Sequence, residues 1–418
     1  MTATLLTNAR MFDGSADEAI PGTDVLVVDG KIEAVSETPI RPAGAEVIDV
    51  GGRTLLPGLI DAHVHVFAIQ LAASRNEVVP LTLMTARAVP RIKAMLDRGF
   101  TTVRDVGGGD VGIKEAVAQG YIPGPRLFIG GPGLSQTGGH GDHRRRTDNR
   151  YDIDRNANGF MFVHRLVDGP EEMRRVVRDE LRKGADHIKV MASGGVGSPS
   201  DALENVQFSR EELEVAVQEA RRRNSYVCAH TYTSEAIRHA VEAGIRTVEH
   251  ANFIDSATAR LVAERAAFVV PTLVCYETTQ IHGVKLGLTP FVMDKLDAVV
   301  KAGVAMLDIC AGAGARMGFG TDLMGEMEYA QSNEFAIRGR VQRPVDILRS
   351  ATSVNAEILQ QSGRLGCVRP GALADLVVCD GDPLSDIALL ADPAKNIRLI
   401  MQGGRLHRND LGLARTGA

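Results

Sequence analysis

The stretch LIDAHVHVF, residues 59–67, is an apolar run that contains two histidines two positions apart. Because alternate residues of a strand face the same side, His63 and His65 would project together from one face. Seven similar runs follow: FTTVRDVG (100–107), RLFIGGPGL (126–134), DHIKVMAS (186–193), SYVCAHTY (225–232), RTVEHANF (246–253), AFVVPTLVCY (267–276) and RMGFGTDL (316–323). These eight runs are the predicted strands of an α/β fold.

Helical patterns separate most of these runs, and SREELEVAVQEARRRN (209–224) opens with the capping box formed by Ser209 and Glu212. Eight strand-then-helix units predict a (β/α)8 TIM barrel, with the functional site at the carboxyl ends of the strands. A doubly wound dinucleotide-binding sheet is the rival fold. GAGARMG (312–318) lacks the third glycine of that motif and precedes a strand instead of following one, which counts against the rival.

The two ends of the chain differ from its middle, because both consist of short β-like runs separated by turns. Asp29-Gly30 and Gly403-Gly404 are hairpin signals. The sequence therefore predicts one small β-sandwich domain built from residues 1–56 and 365–418. The barrel would occupy residues 57–364.

Composition excludes several classes of partner. The 418-residue chain carries a net charge of −5, has 4% aromatic residues and contains no tryptophan, so it offers no basic or base-stacking surface to nucleic acid. No apolar stretch approaches the roughly 20 residues of a membrane span, and no signal peptide is apparent. We expect five reduced cysteines, a cytoplasmic location, and neither nucleic-acid nor membrane partners. We also expect a homo-oligomer.

Six polar residues stand on or at the ends of five of the predicted strands. They are His63, His65, Lys189, His230, His250 and Asp322. Taken singly, a buried histidine is more often a hydrogen-bonded core residue, and Lys189 could form an internal ion pair with Asp322. Imidazole and carboxylate groups gathered at one end of a sheet are, however, typical metal ligands. The set as a whole favours a metal site.

These six positions, with PGLIDAHVH (57–65) and GALADLVVCDGDP (371–383), resemble the binuclear-metal branch of the amidohydrolase superfamily. The resemblance implies two divalent metal ions, expected to be zinc, bridged by a carboxylated Lys189. It implies that His63, His65 and Asp322 hold the first ion and that His230 and His250 hold the second. Asp322 would also carry the proton between the attacking water and the leaving nitrogen.

Five further stretches resemble prolidase-like Xaa-amino-acid dipeptidases and ochratoxinase-type N-acyl amino acid hydrolases: GGHGD (138–142), KVMASGGVGSPSD (189–201), AHTYTSEAI (229–237), QSNEF (331–335) and SATSVNAEIL (350–359). This resemblance implies hydrolysis of the amide bond of a dipeptide or an N-acyl L-amino acid. His140 and Tyr232 are the expected catalytic and substrate-binding side chains beside Asp322. Residues 141–168 would form either a lid or a solvated loop.

Two other functions stay open at this point. A cyclic-amide hydrolase or deaminase, such as an imidazolonepropionase-like enzyme, typically uses one metal and lacks the lysine, so Lys189 counts against it. A noncatalytic assembly protein should have lost some of the six ligands, and all six are present. Two, one or no metal ions per chain would separate the three functions.

Overall fold

The computed structural model describes residues 3–71, 76, 79–144, 147, 164–198 and 201–412. The chain divides into two compact units. The first contains residues 1–61, 93–103 and 332–418, and the second contains residues 62–92 and 104–331. Both ends of the chain thus belong to one unit, while the predicted domain boundaries at residues 56 and 365 stay a prediction.

The strands alternate with helices through the middle of the chain. The strands are β1 (Ala3–Met11), β2 (Ile20–Val28), β3 (Lys31–Ser36), β4 (Glu46–Asp49), β5 (Thr54–Pro57), β6 (Leu59–Val64), β7 (Phe100–Asp105), β8 (Arg126–Ile129), β9 (Gly133–Ser135), β10 (His164–Leu166), β11 (Ile188–Met191), β12 (Val227–Thr233), β13 (Thr247–Phe253), β14 (Phe268–Val270), β15 (Arg316–Met317), β16 (Leu376–Cys379), β17 (Ile397–Gln402) and β18 (Arg405–Asn409). The helices are α1 (Leu81–Asp97), α2 (Val111–Ala118), α3 (Pro170–Arg182), α4 (Arg210–Arg221), α5 (Ser234–Glu242), α6 (Ser256–Glu264), α7 (Leu273–His282), α8 (Pro290–Gly312), α9 (Asn333–Arg338), α10 (Pro344–Arg349), α11 (Asn355–Ile358) and α12 (Pro393–Asn396). None of the helices in the described ranges has the length and apolar character needed to cross a membrane.

The first unit is built on a sheet of eight strands in the order β18-β17-β16-β5-β1-β2-β3, with β4 also paired to β1. Asp29 and Gly30 both have positive φ in the turn between β2 and β3, as do Gly403 and Gly404 between β17 and β18, which confirms both predicted hairpins. Hydrogen bonds join all eight strands into one branched sheet, and the predicted two-sheet sandwich stays a prediction.

Two further sheets lie along the middle of the chain. One sheet has seven parallel strands in the order β10-β9-β11-β12-β13-β14-β15, and a second sheet has the order β6-β7-β8. Every one of the eight predicted runs contains a strand, so the α/β class is confirmed. Within the described residues, however, these strands form two separate sheets and not one closed ring of eight. β15 ends at Met317, and farther along the chain the N–H groups of Thr321 and Asp322 both donate to the carbonyl of His63.

The run AFVVPTLVCY is a strand only in its first half, which corrects the predicted seventh strand. β14 ends at Val270, and Pro271 follows without an N–H for the ladder. Helix α7 then begins at Leu273, so Cys275 and Tyr276 lie on a helix. The predicted capping box is confirmed, since the Ser209 side chain and the Glu212 backbone and carboxylate bond reciprocally at the start of α4.

Candidate metal centre

The structure brings five of the six candidate ligands together by direct contacts within the second unit. His63 lies near the end of β6, and the ring of His63 is 4.9 Å from that of His250 on β13, centroid to centroid. The His250 ring is in turn 4.5 Å from that of His230 on β12. The ligand atoms of His63, His250 and Asp322 lie within 4.8 Å of one another. The carboxyl ends of different strands thus converge on one buried space.

Lys189, on β11, is the sixth candidate and is 1% exposed. Burial lowers the pKa of His230 and of His250 well below the ordinary histidine value, and the charge of Lys189 lowers both further. Its charge therefore acts on the same space that the imidazoles surround.

Two of the imidazoles turn their Nε2 atoms towards Asp322. Nδ1 of His63 lies 2.8 Å from a carboxylate oxygen of Glu249, and Nδ1 of His65 lies 2.8 Å from the carbonyl oxygen of Gly107. These oxygens can only accept, so both rings donate from Nδ1, and in the neutral rings the Nε2 atoms carry lone pairs. The two Nε2 atoms lie 3.4 and 3.1 Å from Oδ1 of Asp322. Lone pairs on Nε2 and on a carboxylate oxygen repel each other at these distances, so a cation or a proton has to lie between the two atoms.

His250 follows the same logic, whereas His230 is characterised by the surroundings of its Nε2 atom. Nδ1 of His250 is 2.8 Å from the hydroxyl of Thr272, which donates onward to the hydroxyl of Tyr276. The Nδ1 of His250 therefore donates, and its Nε2 carries a lone pair. Nε2 of His230 is buried without a hydrogen-bond partner among the residues that the structure describes. A buried polar atom left unpaired is costly unless a ligand completes it.

The backbone at two of these residues is held in an uncommon conformation. His250 has φ 72° and Asp322 has φ 52°, in the left-handed region that costs a non-glycine residue about 1–3 kcal/mol. Such strain persists only where the surrounding structure imposes it, and it concentrates at functional sites. Both residues therefore point into the centre at the expense of local stability.

An ion pair not predicted from the sequence supports the centre. Arg104 and Glu249 are both 0% exposed, and Nη2 of Arg104 lies 2.8 Å from Oε1 of Glu249, whose other oxygen meets His63. Burial raises the pKa of Glu249, but the charge of Arg104 brings it well below the usual range. Glu249 is thus an anion that fixes the orientation and tautomer of His63. A charged residue inside each apolar run, VRD and VEH, is the signal that could have revealed the pair.

Asp105, at the end of β7, is a second buried carboxylate that the sequence analysis did not single out. It accepts hydrogen bonds from the backbone N–H groups of Val66, Gly107 and Gly109. Asp105 therefore fixes the backbone just after His65. It also fixes the turn at Gly107, whose carbonyl oxygen accepts the hydrogen bond from Nδ1 of His65.

His140 and Tyr232 both contact the ligand cluster. The ring of His140 stacks on that of His230 at 4.4 Å with an interplanar angle of 11°. Burial, together with the charges of His143, Lys295 and Lys189, lowers the pKa of His140 to about 3. The Tyr232 ring stacks on His250 at 5.3 Å, and its hydroxyl donates to that of Tyr276 over 2.9 Å. Burial raises the pKa of Tyr232 well above the ordinary value, so the phenol stays protonated.

The predicted lid cannot be placed, because residues 145–146 and 148–163 lie outside the described residues.

Imidazole and carboxylate groups gathered in one buried space at the ends of parallel strands form a candidate metal-binding group of the kind that α/β enzymes carry. The chain belongs to the amidohydrolase family, whose sequence model matches residues 54–406. It is accordingly a hydrolytic enzyme that acts on amide bonds. The superfamily prediction is confirmed.

Three relatives are similar over most of the chain. Ochratoxinase of Aspergillus niger is 32% identical over 366 residues, which cover 85% of this chain and 75% of the relative. The crystal structure of a prolidase complexed with N-methylphosphonate-L-proline is 44% identical, with a TM-score of 0.95 over 98% of this chain and 100% of that one. A Xaa-Pro dipeptidase with bound methionine is 26% identical, with a TM-score of 0.87 over 98% and 100% of the two chains.

Proposed function

We propose that the protein is a binuclear metal-dependent amidohydrolase that cleaves the amide bond of dipeptides or N-acyl L-amino acids. The observation that carries the proposal is the convergence of four imidazoles and the Asp322 carboxylate on one buried space. The names of the relatives support the substrate class, because prolidase, Xaa-Pro dipeptidase and ochratoxinase are among them. The prolidase ligand, a phosphonate of L-proline, favours an L-amino acid as the amine half.

We also propose that the second unit completes the predicted (β/α)8 barrel. Single backbone hydrogen bonds between the two sheets support this arrangement. The N–H of Ala62 on β6 donates to the carbonyl of Phe319 just after β15, and the N–H of Asp186 donates to the carbonyl of Ile129 on β8.

The ligand assignment follows from the donor atoms. His63, His65 and Asp322 would hold one divalent ion, and His230 and His250 the other, with zinc matching the nitrogen and oxygen donors. Lys189 would bridge the two as a carbamate, because an amine offers no pair of anionic oxygens and a buried ammonium would repel both ions. Bound ions of this kind polarise the amide carbonyl and activate water at neutral pH.

Asp322 is suited to the proton transfer. Burial raises the pKa of this carboxyl group, but positive charge and hydrogen bonds from the His63 and His65 side bring it well below the usual value. A cation held there in place of those protons would keep the carboxyl group ionised at neutral pH in the same way. The carboxylate can therefore take a proton from the attacking water and deliver it to the leaving nitrogen.

His140 and Tyr232 would contact the substrate as neutral groups. With a pKa of about 3, His140 carries no charge at pH 7, and Tyr232 keeps its phenolic proton. Hydrogen bonds from such groups can hold a substrate carboxylate or the oxyanion that develops at the amide carbon.

The test is a substrate screen on protein of known metal content. We expect about two metal ions per chain and release of free amino acid from members of an Xaa-Pro dipeptide and N-acyl amino acid library, with His63→Ala as the inactive control. Fully metallated protein that releases no amino acid from any of them would refute the proposal. One metal with turnover of a cyclic amide would favour the deaminase-like function, and a protein that binds no metal would favour the assembly protein.

A further inference from the structure

Lys295, on helix α8, is a buried cation outside the ligand cluster. It is 9% exposed, and its ammonium donates to the carbonyl oxygens of Gly195 and Ser198 at 2.7 Å and of Asp201 at 3.1 Å. An ammonium has three protons, and all three are used. All three acceptors belong to the described part of the connection that follows β11, hereafter the Lys295-bound loop (residues 192–198 and 201–207).

The Lys295-bound loop holds His140 from two sides. Gly195 lies against the imidazole so closely that a Cβ added there would be 2.2 Å from Cε1 of His140. The backbone N–H of His140 donates to Oε1 of Gln207, and Nε2 of Gln207 donates to the carboxylate of Asp201. Both ends of this small network, Gly195 and Asp201, offer their carbonyls to Lys295.

The same loop also contacts Tyr232. The hydroxyl of Ser193 accepts the backbone N–H of Tyr232 at 3.2 Å. The Val196 side chain packs in one apolar cluster with Tyr232 and with Leu296 of α8. Both proposed substrate-contacting side chains therefore touch one loop.

We propose that Lys295 is a positioning residue that fixes His140 over His230, and Tyr232 beside it, by holding the Lys295-bound loop. The loop contains the glycines of SGGVG (193–197), which restrict the backbone little, so an external anchor has to fix its path. Three carbonyls of the loop bind the ammonium of Lys295, which belongs to a 23-residue helix. The kinetic part of the inference rests on the proposed function, whereas the placement of His140 does not.

The first experiment compares Lys295→Met with Lys301→Met, which removes an exposed charge from the same helix. We expect the zinc content of Lys295→Met to stay at the wild-type level and kcat/KM to fall about tenfold or more, mostly through KM, because substrate binding is disturbed and the ligands are not. A crystal structure of the variant should show the His140 and His230 rings farther apart than 4.4 Å. An unchanged ring separation overturns the inference.

A second experiment tests the link to His140 without disturbing Lys295. Gly195→Ala should lower kcat/KM by displacing the imidazole, whereas Gly197→Ala in the same loop, where a Cβ meets nothing within 4 Å, should not. In a His140→Ala background the Gly195→Ala and Lys295→Met effects should largely disappear. Effects that add in full would show that Lys295 does not act through His140. If the wild-type protein hydrolyses no amide, the proposed function fails, and the ring separation still tests the placement.

Discussion

Replacing Glu249 by Gln tests how the metal centre is supported. The substitution keeps the shape of the side chain but removes the anion that lies between Arg104 and His63. Arg104 would then be a buried cation that has lost its anion and keeps neutral partners, among them the Ala62 carbonyl, the Thr247 hydroxyl and an amide oxygen. The amide could also turn its NH2 group towards Nδ1 of His63, which would favour the wrong tautomer for metal binding.

Two magnitudes follow from this geometry. Breaking a fully buried ion pair by removing one partner costs about 3–5 kcal/mol. For a chain of this size, each kcal/mol of lost stability lowers the melting temperature by roughly 2 °C. The melting temperature of the variant should therefore fall by about 5–10 °C. Losing the group that orients a metal-binding histidine should weaken metal affinity by about 10–100-fold.

Scanning calorimetry and zinc titration against a competing chelator measure the two effects separately. The double variant Arg104→Met, Glu249→Leu serves as the control, because removing both charges should restore much of the lost stability. It should not restore zinc affinity, since His63 still lacks its partner. A Glu249→Gln protein with wild-type melting temperature and zinc affinity would refute the reasoning, and so would a double variant with full zinc affinity.

Three further predictions follow from single side chains. Lys189→Ala should lose the metal pair, and short carboxylic acids should restore part of the metal content by supplying the missing bridge; a variant with two tightly bound ions would contradict this. Asp322→Asn should keep part of its metal while turnover falls about 10²–10⁴-fold, and the acidic limb of the rate profile should move or vanish; intact turnover in a merely destabilised protein would contradict it. Although burial raises the pKa of Asp97, Lys93 and His407 bring it below the usual value, so this carboxylate stabilises the fold above about pH 4 and less as the pH falls further. The melting temperatures of wild-type protein and Asp97→Asn should therefore converge in acid.

The eight predicted strands in the middle of the chain could be found because strands buried on both faces are continuous apolar runs. The predicted run 126–134 divides into β8 and the start of β9, and β10 has no counterpart among the predicted runs, since three-residue strands leave no such pattern. The sequence predicts a strand where the first residues of helix α7 lie, because a short apolar run does not distinguish a helix from a strand. Tyr276, which lies on α7 and bonds to Tyr232, was missed for that reason.

The candidate ligands could be named because few polar residues stand at the ends of apolar strands, and their types are those of metal ligands. Arg104 and Glu249 pair across 145 residues of sequence, and nothing local to either residue indicates its partner. Lys295 was missed for a similar reason: its partners are backbone carbonyls, which carry no sequence signature. The sequence therefore predicts the chemistry of the centre better than the contacts that hold it in place.

The pairing of β5 with β16 sets the order in which the protein can be completed during synthesis. Thr54–Pro57 pair antiparallel with Leu376–Cys379, which leave the ribosome about 320 residues later, or roughly 16–64 seconds at about 5–20 residues per second. Throughout that interval the edge of β5 that pairs with β16 in the finished protein lacks this partner. An open strand edge can pair with another chain. Nascent chains that stop before Leu376 should therefore appear in the insoluble fraction of a lysate, whereas the full chain stays in the supernatant.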